Sequence, residues 1–111
     1  MRRKISLVKY FLACCNLVMQ KNSEAEIETH FVWAVEMTGG RVDKIKFIGK
    51  RGCPDRVAFL PNGQMWFVEL KAPKGRLSKL QQQFAADMER LQQRYINLWS
   101  KEQVDEWITG T

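Results

Sequence analysis

The sequence predicts an α/β domain whose elements follow in the order helix, three strands, helix, strand, helix. Two stretches with helical spacing of apolar residues, 23–38 and 78–93, each begin with a capping motif. Between them, two runs rich in Val, Phe and Trp flank Pro61-Asn62-Gly63, a segment typical of a β-hairpin. Residues 42–48 and 94–100 supply the remaining two strands.

The first helix is expected over residues 23–38, where Ser23 and Glu26 form an S-x-x-E capping box. Glu24 falls within its apolar stripe at the N-terminal edge, and Glu28 borders the stripe. A carboxylate on a buried stripe indicates a functional role, unless the acid only interacts favourably with the helix dipole. The expected buried residues of this helix are Ile27, Phe31, Ala34 and Val35.

A strand is expected over residues 42–48, where apolar and polar residues alternate in VDKIKFI. The segment Gly49–Pro54 follows, basic and bracketed by glycine. Such a segment is typical of a surface loop that contacts a phosphate backbone.

The hairpin turn determines where the charged residues of the two central strands meet. Pro61 cannot donate a ladder hydrogen bond, which favours a three-residue connection with Gly63 left-handed. In that register Asp55 lies opposite Glu69. A two-residue Asn-Gly loop would instead place Asp55 opposite Leu70, with the carboxylates on opposite faces. We predict the first register.

Glu69 and Lys71 lie two residues apart and therefore share a strand face. The predicted register thus brings two acids and an amine together at one end of the hairpin. Two close carboxylates repel each other, so a divalent cation is the natural counter-charge. The alternative is a solvated ion pair, but Val68 and Leu70 alternate with the charges and indicate buried surroundings.

The second helix is expected from Ser78 to about Gln93. Gln81 occupies the third helical position of an S-x-x-Q capping box, which is sufficient by itself to explain a glutamine there. A strand over 94–100 and a short helix over 101–108 complete the domain. The expected core side of the second helix consists of Leu80, Phe84, Met88 and Leu91.

Composition indicates a single globular domain with a polyanionic partner. The chain has 111 residues and 13.0 kDa, with 45% hydrophobic and 27% charged residues. A net charge of +6 and a pI of about 9.5 favour nucleic acid as the partner over a merely solvated basic surface. The predicted DNA-binding residues are Lys46, Lys50, Arg51, Arg56, Lys74 and Arg76.

Cysteine and histidine usage excludes several kinds of site. Cys14, Cys15 and Cys53 are odd in number and contain no C-x-x-C pair, so neither a disulfide framework nor a zinc ribbon is indicated. A reducing cytoplasm is expected. His30 is the only histidine, which excludes a multi-histidine metal centre, and it is expected on the helix surface.

Residues 1–22 differ from the domain expected over 23–111. Basic residues followed by an apolar stretch imitate a signal peptide, but Lys9 interrupts the apolar run, which is also too short to cross a membrane. No membrane association is expected. We interpret the segment as an accessory helix that covers the domain or a partner subunit. Alternatively, translation starts at Met19.

The chain resembles the virus-type replication-repair nuclease (VRR-NUC) domain, a branch of the PD-(D/E)xK nucleases. Four features carry the resemblance: Asp55 after G-x-P, the hairpin, E-x-K in FVELKAP, and LSKLQ. The resemblance extends from about Ser23 to Trp99. It implies a restriction-endonuclease-like core with a mixed sheet covered by helices on both faces. It also implies an endonuclease that uses Mg²⁺ or Mn²⁺ to hydrolyse DNA.

The resemblance assigns roles to individual residues. Asp55 and Glu69 would hold the metal, and Lys71 would complete the catalytic set. A glutamate of the first helix reaches the metal in this family; Glu24 is the first choice for that position and Glu28 the second. The Leu70 carbonyl is a further expected ligand, and Gln81 a supporting residue of the active-site motif.

Stand-alone members of this family look like homodimers that cut branched DNA such as four-way junctions. A role in DNA repair or recombination, in a bacterial or phage-infected cell, is therefore expected. Two alternatives remain open. One is a nuclease that cuts flaps, nicks or duplex without junction selectivity, and the other is a binding module without catalytic activity.

Overall fold

The computed structural model describes residues 23–111, so the predicted N-terminal accessory helix lies outside the described residues. The described chain follows the predicted order of elements. None of its helices has the length and apolar character that a membrane crossing requires. The elements are α1 (Glu24–Met37), β1 (Arg41–Lys44), β2 (Arg56–Phe59), β3 (Met65–Leu70), α2 (Lys79–Arg90), β4 (Tyr95–Leu98) and α3 (Lys101–Gly110).

The four strands form one mixed sheet in the order β1-β2-β3-β4. The pairs β1/β2 and β2/β3 are antiparallel, whereas β3 and β4 run parallel. Parallel neighbours need a crossover connection, and α2 provides it. The predicted mixed sheet is therefore confirmed.

The hairpin between β2 and β3 has the predicted register. The ladder pairs Arg56 with Val68, and one further step along the same ladder places Asp55 opposite Glu69. Gly63 is left-handed with φ of 86°, as the three-residue connection requires. The turn therefore brings the two predicted carboxylates to the same end and the same face of the sheet.

One face of the sheet packs against α1 and α3 to form the hydrophobic core. Phe31 of α1 meets Trp107 of α3 with 5.6 Å between ring centroids, and Trp107 also meets Trp66 of β3 at 5.8 Å. All four residues predicted for the buried stripe of α1 are fully buried, namely Ile27, Phe31, Ala34 and Val35.

The opposite face carries α2 on a small aromatic cluster. Phe84 of α2 contacts Phe47, Phe67 and Tyr95 at centroid distances of 5.7, 5.8 and 5.7 Å. The rest of α2 is less well covered than the sequence predicted, and none of its residues is buried. The prediction that Leu80 and Leu91 face the core is wrong, because both are largely exposed where the helix ends extend beyond the cluster.

The first strand is shorter than predicted. β1 ends at Lys44, which pairs with Arg56 at the beginning of β2, so no partner strand continues the ladder. Beyond it the Ile45 N–H donates to the Asp55 carbonyl at 2.8 Å. Phe47 then joins the aromatic cluster, while Ile48 is 94% exposed.

The position of His30 also differs from the prediction, because the residue is buried rather than on the surface. Its Nε2 lies 2.7 Å from Oδ1 of Asp105 in α3. The helical pattern of α1 alone does not reveal that α3 covers this side of the helix.

Candidate active site

The end of the hairpin gathers charges around Glu69, whose side chain is almost fully enclosed at 7% exposure. Burial raises the pKa of the Glu69 carboxyl, and the charges of Asp55 and Glu24 add to this effect. Lys71 and Arg56 act in the opposite direction. Two acids and two bases therefore lie close enough to Glu69 to affect its charge.

Gln81 serves both roles that the sequence left open. Its side-chain oxygen accepts from the Ser78 N–H at 2.8 Å, and its backbone N–H donates to the Ser78 hydroxyl oxygen at 3.1 Å, which completes the capping box. Its amide nitrogen donates to Glu69 Oε1 at 2.6 Å. A residue of the cap that begins α2 therefore also orients the buried carboxylate.

Asp55 is 62% exposed and bonded to a neighbouring arginine. Arg56 Nη1 lies 2.7 Å from Asp55 Oδ1, and Arg56 Nη2 lies 2.7 Å from Glu28 Oε2 on α1. The Arg56 side chain is only 11% exposed. These contacts do not support the predicted binding of Arg56 to DNA, because the alternation of β2 points this side chain toward α1.

The glutamates near the N-terminus of α1 differ in their contacts. Glu28, the second choice for a metal ligand, is engaged by Arg56, whose hydrogen bond lowers the pKa of the Glu28 carboxyl. Glu26 is tied to Ser23 and to Lys101 of α3. Glu24 is exposed in the first turn and makes no salt bridge within residues 23–111, so it is the α1 carboxylate best placed to accept a new partner.

The donor groups fit a hard divalent cation by their chemistry. Glu69 is a buried carboxylate whose negative neighbours disfavour its charged form, and oxygen ligands are what Mg²⁺ and Mn²⁺ prefer. As the side chains stand, however, residues 23–111 contain no group of three or more acidic, histidine or cysteine side chains able to hold a metal. Arg56 and Gln81 each hold one carboxylate in its present orientation.

The backbone of Leu70 also faces this region. The Lys71 N–H donates to the Leu98 carbonyl of β4 at 3.0 Å. In a planar trans peptide the carbonyl points opposite to the N–H, so the Leu70 oxygen points away from β4, toward the side of the hairpin that carries Asp55. This direction is the one that a further ligand would need.

Two exposed basic loops flank the site. The first precedes Asp55 and the second connects Lys71 to α2. Gly52 anchors the first loop against α2: a Cβ at this position would lie 2.5 Å from the backbone of Leu80. None of the exposed basic side chains predicted to bind DNA forms a salt bridge within the described chain: Lys46, Lys50, Arg51, Lys74 and Arg76.

Sequence reasoning missed two residues beside Glu69. Asn97 is the parallel partner of Glu69 in β4, and its Oδ1 accepts from the Tyr95 hydroxyl at 2.7 Å. Burial, together with the charge of Glu69, raises the pKa of Tyr95 to about 12. The alternation of Tyr95 and Asn97 was visible in the sequence, but the parallel register that places them beside Glu69 was not.

Comparisons with known proteins agree with this architecture. A solved structure described as "VRR_NUC domain" superimposes with a TM-score of 0.73 at 27% identity, covering 79% of this chain and 96% of that one. "Putative nuclease p44" of Acyrthosiphon pisum secondary endosymbiont phage 1 is 50% identical over 50 residues. That match covers 45% of this chain and 54% of the relative, about half its length. No family model matches the chain.

Proposed function

The chain is a VRR-NUC domain, and from this premise we propose that it is a divalent-metal-dependent endonuclease acting on DNA. One observation carries the proposal: a buried carboxylate, Glu69, faces Asp55 and Lys71 at a hairpin end that lies between two exposed basic loops. Buried charge is costly unless it is compensated, so such an arrangement is retained for chemistry rather than for stability.

The proposed reaction is hydrolysis of a phosphodiester bond without a covalent enzyme intermediate. Asp55, Glu69 and Glu24 would hold Mg²⁺ or Mn²⁺ together with the Leu70 carbonyl. When bound, such an ion supplies Lewis-acid polarisation of the scissile phosphate and activation of water. Gln81 keeps the Glu69 carboxylate oriented through its 2.6 Å hydrogen bond.

Lys71 acts on the reacting phosphate in this scheme. Its side chain shares the Glu69 face of β3 and is half-buried. An ammonium at this position orients the attacking water or offsets the negative charge that grows on the phosphorane as the water attacks, before the P–O bond to the leaving oxygen breaks. The exposed lysines and arginines of the two basic loops bind the flanking phosphates.

Branched DNA is the proposed substrate, and the active form is a homodimer. The basic loops present charge but no recognisable base-reading element, which favours recognition of shape over sequence. One site cuts one strand at a time, so paired cuts across a junction require a second copy of the chain.

The test is cleavage of a labelled four-way junction beside a matched duplex and a flap, each with Mg²⁺, Mn²⁺ or EDTA. Paired, metal-dependent nicks at the junction are expected from the wild type. Lys71→Met should abolish them. Arg41→Met removes the same charge from an exposed residue near the turn, at the opposite end of the sheet, and should cut normally.

Three other outcomes would change the conclusion. Equal cleavage of all three substrates would retain the nuclease and remove junction selectivity. Cleavage in EDTA would contradict metal dependence. Intact substrates despite tight binding would identify a binding module without catalytic activity.

A further inference from the structure

We propose that Arg56 is a positioning residue that takes the place of the divalent cation at Asp55 in the metal-free protein, and so sets the metal concentration at which the site assembles. This inference rests on the proposed function, since it concerns the same carboxylates. It assigns to Arg56 a task different from the predicted DNA contact.

The guanidinium is anchored more firmly to one carboxylate than to the other. Arg56 donates to Glu28 through two nitrogens, Nη2 at 2.7 Å and Nε at 3.3 Å, but to Asp55 only through Nη1 at 2.7 Å. A two-point fork on a carboxylate is stronger and more fixed than a single bond. Glu28 therefore retains the arginine while Asp55 is the partner that can leave.

The exposure of the side chains also indicates that Arg56 stays in place and that Asp55 can leave it. Arg56 is 11% exposed and lies against α1, whereas Asp55 is 62% exposed and free to change rotamer. The position of Asp55 opposite Glu69 places its backbone correctly for a shared cation, but the salt bridge draws its carboxylate toward Arg56.

The consequence is a competition between two cations for one carboxylate. When Asp55 turns toward Glu69, Arg56 loses one hydrogen bond but keeps both bonds to Glu28. The arginine thus neutralises the acidic cluster in the absence of metal and raises the metal concentration needed for assembly. Removing Arg56 should therefore tighten metal binding by up to about fivefold, the amount that one ion pair to a largely exposed carboxylate contributes.

The experiment measures Mn²⁺ affinity by calorimetry on the full chain without DNA, so that the readout is independent of cleavage. Arg56→Gln is expected to bind Mn²⁺ about fivefold more tightly than the wild type. Lys44→Gln is the matched control. Lys44 Nζ lies 3.9 Å from the same Glu28 carboxylate but is exposed and makes no bond to Asp55. The Mn²⁺ affinity of Lys44→Gln should therefore stay within about twofold of wild type.

A second variant protects the test against misfolding. Arg56→Gln leaves Glu28 without its main partner, whereas the double variant Glu28→Gln/Arg56→Gln removes both charges and preserves a polar pair. Circular dichroism melting establishes that each variant is folded. The double variant is also expected to bind Mn²⁺ more tightly than the wild type, because Asp55 is released in both.

The outcomes separate this inference from the proposed function. Unchanged or weaker Mn²⁺ binding by both folded Arg56 variants, with wild-type binding and cleavage intact, overturns the role of Arg56 alone. An equal gain in Lys44→Gln also overturns it, since the effect would then reflect overall charge. If neither wild type nor variants bind Mn²⁺ and no DNA is cut, the proposed metal-dependent nuclease fails as well.

Discussion

Gly52 and Gly49 form a matched pair that tests how the basic loop is held against α2. Both residues are left-handed, with φ of 77° and 78°. A Cβ added at Gly52 would lie 2.5 Å from the backbone carbonyl carbon of Leu80 and 2.5 Å from its Cβ, whereas nothing lies within 4 Å at Gly49. The two alanine substitutions therefore share a conformational cost and differ in the steric one.

The expected magnitudes follow from this difference. A left-handed alanine costs about 1 kcal/mol at either position. Gly52→Ala adds an overpacking cost of about 1–3 kcal/mol, because the nearby atoms are the backbone and Cβ of Leu80, which no side-chain rotation can move away. Gly49→Ala should thus lower the free energy of unfolding by about 1 kcal/mol, and Gly52→Ala by about 2–4 kcal/mol.

Urea unfolding of the wild type and both variants measures the difference directly. Cleavage measured on the same samples should fall more for Gly52→Ala than for Gly49→Ala, because a loop displaced from Leu80 carries Asp55 with it three residues later. Free energies of unfolding that agree within about 0.5 kcal/mol would refute the close approach of the loop to α2.

Substitutions at Glu69 and at its hydrogen-bond partner Gln81 complete the set of predictions. Glu69→Gln should abolish cleavage yet, in EDTA at pH 7, raise the free energy of unfolding above that of the wild type. The raised pKa means that the folded wild type binds the proton more tightly than the unfolded chain, so its stability falls as pH rises through the folded pKa of Glu69. Below the ordinary carboxyl pKa, Glu69→Gln should be no more stable than the wild type. If the variant still has the higher free energy of unfolding at pH 3, the raised pKa of Glu69 is not the cause. Gln81→Ala should cost about 1 kcal/mol through loss of the cap, whereas Gln81→Glu should keep the cap. Both should impair cleavage because neither donates to Glu69; unaffected cleavage in both variants would limit Gln81 to capping.

The fold was predictable where a local rule determined it. Pro61 cannot donate to the ladder and Gly63 accepts a left-handed conformation, so together they specify the loop length and hence the pairing of Asp55 with Glu69. Helix α1 was predictable for a similar reason, since Ser23 marks its beginning and the apolar spacing marks its buried side.

Contacts between distant elements could not be predicted in this way. The engagement of Arg56 by Glu28 depends on how α1 crosses β2, which no local pattern encodes. The burial of His30 likewise depends on Asp105, 75 residues away. The exposed ends of α2 had a different cause, because amphipathic spacing shows which side of a helix is apolar but not how much surface lies beneath it.

The sparse packing of α2 has a consequence for motion. Among the helices of the described chain, α2 is the one with no buried residue, and elements with few buried contacts open locally at the lowest free-energy cost. Each such opening would break the hydrogen bond from Gln81 to Glu69 and, at the same time, separate Leu80 from Gly52. Amide hydrogens of α2 should exchange faster than those of α1 and α3, and DNA bound across the basic loops should slow that exchange, so that substrate binding and the ordering of the site become a single equilibrium.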